Sequence, residues 1–211
     1  MKSSNHNLVG SILVLGVGLL TSTAFGASQQ ELAASIKEAR TEATRTHGQL
    51  EATLSALNAL TKQSKGDLRP AYDAFAAEIP KTEAAANSTR TRVKWMGGEG
   101  QKYFEGWQKD IDSIANESLR KKAQKRLDGV KKSYDKVAVE LTKGAEKFAP
   151  FLSDLNDIKK TLANDVTPSG VKAIRSTVSS ANWNYKFVNN AINGGLKEME
   201  KMEKALSPEA K

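Results

Sequence analysis

An apolar residue returns every seven positions through three long stretches of this chain, and that repeat leaves few folds open. In the last stretch Val171, Val178, Tyr185, Ile192, Met199 and Leu206 are spaced by seven. Ile174, Ala181, Val188, Gly195 and Met202 follow the first five of these by three. Residues so spaced form one stripe along an α-helix, and only another helix buries such a stripe along its whole length. A strict seven-residue period also imposes a left-handed supercoil, because 3.6 residues per turn drifts by about 20° per heptad. The repeat predicts an all-α protein, an elongated antiparallel bundle of long helices with coiled-coil packing.

Four long helices account for nearly all of residues 27–211, read as a single domain. The first is expected to start at a capping box, Ser28 to Glu31, and to run to about Ser64. Its stripe is weak, with Ala39, Thr46 and Thr53 at positions where large apolar residues are usual, so it is expected to pack less tightly than the others. Gly66 should end it, and Asp67 should cap the second helix, about Leu68 to Ala115, with Pro70 in its first turn. Asn116 should cap the third, about Glu117 to Ala163. Thr167 followed by Pro168 should open the fourth, which reaches Leu206. Ser207 to Lys211 reads as a fraying tail. Pro80 and Pro150 fall inside the second and third helices and would lie at the same height. They either bend the two helices together or end shorter ones.

The N-terminus carries a different signal. Lys2 is followed by the apolar run Leu8 to Leu20 and then by small residues around Ala24-Phe25-Gly26. Residues 1–26 read as a secretory signal peptide, so the protein is expected to be exported, periplasmic or secreted. The alternative is an uncleaved membrane anchor, although the run is shorter than the ~20 residues that a span needs. No later segment is apolar enough to cross a membrane. The 211 residues contain no Cys, so disulfides cannot reinforce the fold in the oxidising compartment that the signal implies.

From Phe104 onward several motifs recur together: Phe104-x-x-Trp107, Asn116-x-x-Leu119-Arg120, Leu127, Tyr134, and Phe148-Ala149-Pro150-Phe151-Leu152-x-x-Leu155-x-Asp157. In these the chain resembles a bacterial family catalogued as domain of unknown function 2959, with a weaker likeness around Tyr72 to Phe75. The resemblance implies a secreted or envelope helical protein with coiled coil. It carries no activity and no functional residue. After Leu162 the chain departs from the family, with a turn at Asn164 to Pro168 where a basic-polar helical stretch is usual.

Residue types that do chemistry are scarce. Only two His occur, and His6 lies in the predicted signal. His47 reads as a half-buried or surface residue, because metal sites need clusters of ligands. Met96 to Gly100 is rich in Gly but lies within a helix. Phosphate-cradling loops need free amides at a helix start, so small residues for close packing, or a local break, are the better account. No cofactor, metal or catalytic residue is expected, and the chain reads as no enzyme.

Two surface features remain. Arg120, Lys121, Lys122, Lys125, Arg126, Lys131, Lys132 and Lys136 crowd the start of the third helix, offset nearby by Asp128 and Asp135. Positive charge there opposes the helix dipole. The bland account is a solvated face. The functional one is contact with an anionic envelope component such as phospholipid, lipopolysaccharide or an acidic polymer. The export signal and the lack of interleaved aromatics argue against nucleic acid. Secondly, Trp183 and Phe187 are four residues apart and face away from the seam, as does Trp95 on the second helix. Either the first helix or a wide core covers them, or they form a contact for a protein partner or for self-association. The favoured function is a structural or interaction module of the bacterial envelope.

Overall fold

Residues 20–63 and 65–206 are described by the computed structural model. They form five helices, α1 Leu20–Lys62, α2 Arg69–Asp112, α3 Glu117–Ala163, α4 Pro168–Ala173 and α5 Arg175–Leu206. The fold is all-α, and α3, with 47 residues, is about 70 Å long. Most of the predicted signal segment, residues 1–19, and the tail at Ser207–Lys211 lie outside the described residues.

The turns behave largely as their chemistry dictates. Gly66 takes φ 84°, the left-handed region in which a side chain is strained. Asn116 accepts from the Leu119 amide at 3.0 Å, and Thr167 accepts from the Gly170 amide at 3.2 Å. Asp67 acts one residue earlier than expected. Its carboxylate accepts from the Arg69 amide at 2.9 Å, while Leu68 occupies the cap position and is buried. The fourth predicted helix is divided at Ile174, where ψ near 0° separates α4 from α5. The predicted start of the first helix is corrected. α1 is already helical from Leu20, so Ser28 and Glu31 lie inside it and cap nothing. The end of the predicted signal segment, at Gly26, therefore also falls within α1.

α1 packs on α2 and α5, and α3 packs on α2 and α5, so each helix has two neighbours around a ring. The two closest seams are α1 against α2 and α3 against α5. These are hairpins of long helices that follow one another in the chain, α3 and α5 with only the short α4 between them. The expectation of a loosely packed first helix is overturned. Leu32, Ile36, Leu50, Leu57 and Leu60 on α1 are all buried. The small residues that weaken its stripe on paper bring α1 close to α2. Thr46 Oγ1 donates to the Ala85 carbonyl at 2.9 Å and lies 2.8 Å from Thr89 Oγ1. Thr53 and Thr82 pair their hydroxyls at 2.6 Å in a fully buried seam. α3 meets α5 in the same way, through Gly144 against Ala191 and Gly195 against Leu141.

Neither internal proline ends its helix, which removes the reading of shorter helices. Tyr134 donates its hydroxyl to the Met96 carbonyl at 2.7 Å and so sets the α2–α3 register. A side chain at Gly100 would overlap the Tyr134 ring, so the ring would have to swing aside and give up its bond to Met96. Equal steps along both helices from the Met96–Tyr134 pair lead to Pro80 and Pro150, which are level and exposed.

The core is divided. One cluster, with Leu57, Phe75, Phe151, Leu155 and Ile158, lies towards the α1–α2 and α3–α4 turns. The other, with Ile36, Met96, Tyr103, Val137 and Met199, lies towards the α2–α3 turn. Between them, at mid-height, α2 and α3 part around a space of about 300 Å³. The residues there are too small to bridge the hairpins: Ala86 on α2, and Ala138, Gly144 and Ala145 on α3.

Burial also acts on three tyrosines. It pushes the Tyr134 hydroxyl up to about 12, with Asp135 adding to the shift. It raises Tyr103 against the opposing charge of Arg126, and it raises Tyr185 with help from Glu51. A pKa raised on folding means that the folded state keeps the proton after the unfolded chain has lost it. The stabilisation is complete below the unfolded value near 10 and disappears as pH rises towards 12. Thermal melts followed by circular dichroism should be level from pH 8 to about 9.5 and fall steeply above. Tyr134→Phe should make that fall shallower. An unaltered fall in the variant would assign the effect to other groups.

Candidate functional site

The α3 helix turns one broad face outward, because its seam residues Leu127, Val137 and Leu155 are buried inward. All eight basic residues singled out in the sequence are exposed. They do not all act alike. Lys121 is held by Glu117 at 2.6 Å and Lys131 by Asp135 at 3.0 Å, both along the helix. Arg120 reaches back to the Ile114 carbonyl at 3.4 Å. Lys122, Lys125, Arg126, Lys132 and Lys136 have no carboxylate within ion-pair distance among the described residues. At about 100° per residue, Lys122, Lys125, Lys132 and Lys136 fall within roughly 80° of one another, opposite the buried seam. Val139 joins the same face and is 52 % exposed.

The aromatic candidates are uncovered. Trp183 is 58 % exposed and Phe187 39 %, so neither α1 nor a wider core shields them. They pack edge to face, with ring centroids 4.9 Å apart and planes at 72°. The Lys147 ammonium from α3 lies 5.4 Å from the Phe187 ring centroid. Lys147 continues the outward face of α3, eleven residues beyond Lys136. The basic stripe and the aromatic pair are thus two ends of one surface. Glu140 also lies on this face, held by Lys143 at 2.8 Å. Trp95, 37 % exposed, stands on α2, outside the two helices that form this surface.

In the sequence the charges and the aromatics stand apart, and neither Lys147 nor Val139 stands out. Val139 was open to detection, as an apolar residue at an outward heptad position. The Lys147–Phe187 contact was not, because it depends on how α3 and α5 sit side by side.

His47 is half-buried and joins two helices, its Nε2 2.5 Å from Asn189 Oδ1 on α5. Among the described residues no three acidic, His or Cys side chains converge as a metal site would require. No helix among them is long and apolar enough to cross a membrane.

Fold and surface together define an all-helical bundle with one cationic outer face edged by aromatics. The chain belongs to the family described as Protein of unknown function (DUF2959), whose model matches residues 21–206. That match extends beyond the motifs in the second half and takes in α1 and α5. No curated protein and no solved structure matches the chain.

Proposed function

We propose that this is an exported, non-enzymatic interaction module of the bacterial envelope that rests its α3–α5 face on an anionic surface. The N-terminal pattern of charge, apolar run and small residues supports export. The observation that carries the contact is Lys147 over Phe187, which makes the lysine stripe and the exposed Trp183 pair continuous. Lysines with an adjoining Trp and Phe suit an anionic bilayer interface, where cations meet headgroups and aromatic rings enter the boundary.

Vesicles containing phosphatidylglycerol test this reading against vesicles of phosphatidylcholine alone. The protein should bind the anionic vesicles only, more weakly as salt rises, with a blue shift of Trp183 emission that Trp183→Phe abolishes. At about 1 kcal/mol per basic residue, reversing Lys122, Lys125, Lys132 and Lys136 to Glu should weaken binding by about a thousandfold or more. Equal binding by that variant, with helicity intact, would exclude the α3 face. Concentration-dependent dimerisation that already shifts Trp183 emission without vesicles would reassign the aromatic pair to self-association.

A further inference from the structure

The space between the two hairpins is lined by all four long helices, and its chemistry is one-sided. Leu50, Val93, Leu141, Phe148, Val188 and Ile192 supply apolar atoms. Three threonines also line it, yet their hydroxyls are already engaged. Thr46 donates to the Ala85 carbonyl, Thr89 pairs with Thr46, and Thr142 donates to the Ala138 carbonyl at 2.8 Å. Methyl groups are what they offer to the interior. Arg90 is the sole charged residue of the lining. It is exposed, and its guanidinium donates to Asn87 Oδ1 at 2.6 Å. Among the described residues no carboxylate lies within ion-pair distance of it.

An apolar slot with a single unneutralised cation at its rim matches a ligand with an alkyl chain and one anionic head. The volume, about 300 Å³, lies at the small end for ligand pockets and admits one chain rather than two. We propose that this slot binds a single-chain alkyl carboxylate, its tail between α2 and α3 and its carboxylate on Arg90. The proposal stands apart from the α3–α5 surface contact, because the slot opens on the α2–α3 side.

Laurate, titrated below its micelle concentration into the full chain and followed by calorimetry, should bind with a stoichiometry of one. Arg90→Gln should weaken laurate by about tenfold and leave dodecanol binding unchanged. Ala145→Phe should fill the slot and remove binding of both ligands. If that variant does not fold, Ala86→Leu provides the same test with a smaller side chain. Reversal of the four α3 lysines to Glu should leave laurate binding as it is. The proposal is overturned if wild-type protein shows no saturable laurate binding. It is equally overturned if a slot-filled variant with wild-type helicity binds normally, if Arg90→Gln makes no difference, or if the lysine reversal abolishes binding.

Discussion

Phe151→Ala is expected to destabilise the bundle by about 3–5 kcal/mol. Phe151 is fully buried, and its ring lies 6.4 Å from Phe148 and 6.2 Å from Tyr185 between centroids. It belongs to the core cluster near the α1–α2 and α3–α4 turns, and Leu155 and Ile158 beside it are fully buried as well. Neighbours held on long rigid helices cannot collapse into the vacated space, so the cavity persists. For a chain of this size each kcal/mol corresponds to about 2–4 °C, so the melting temperature should fall by roughly 10 °C. A loss below about 1 kcal/mol in denaturant unfolding would mean that this cluster is not packed as described.

The second large effect concerns a hydroxyl pair. Thr53 donates to the Gln49 carbonyl at 2.9 Å, so the proton between Thr53 and Thr82 belongs to Thr82. Thr53→Val deletes the acceptor and strands a buried donor, at about 1–3 kcal/mol. Thr82→Val leaves Thr53 bonded to Gln49 and should cost clearly less. The double variant should recover most of the loss, since two methyl groups then face each other without a polar atom. Equal losses for the two single variants, adding in the double, would show that the pair does not act as a unit.

These two sites also show what a sequence can and cannot reveal. Phe151 lies on an apolar seven-residue repeat, and heptad counting alone sends it inward. Thr53 lies on the same kind of repeat in α1 but looks like a gap in it. Small side chains weaken a stripe on paper and tighten a seam in space, and the partner decides which. The capping box at Ser28 failed for a related reason. The spacing to Glu31 is correct, but a cap is used only where the preceding chain leaves the helix, and here it does not. Trp183 and Phe187 were identified as outward residues by heptad arithmetic. The slot was not legible at all, because its walls come from four helices and half of their residues are alanine, glycine and threonine, which seldom attract notice singly.

The two tight seams each join successive long helices, and that has a consequence for how the chain reaches its fold. Each hairpin closes across a short turn, so its contacts form at little loop-closure cost. The long-range step is the meeting of the two hairpins, marked by Gln29 donating to the Leu206 carbonyl at 2.8 Å across 177 residues. Assembly is then local twice and distant once, an order that favours rapid folding. The meeting of the two hairpins is the step that carries the largest loop-closure cost.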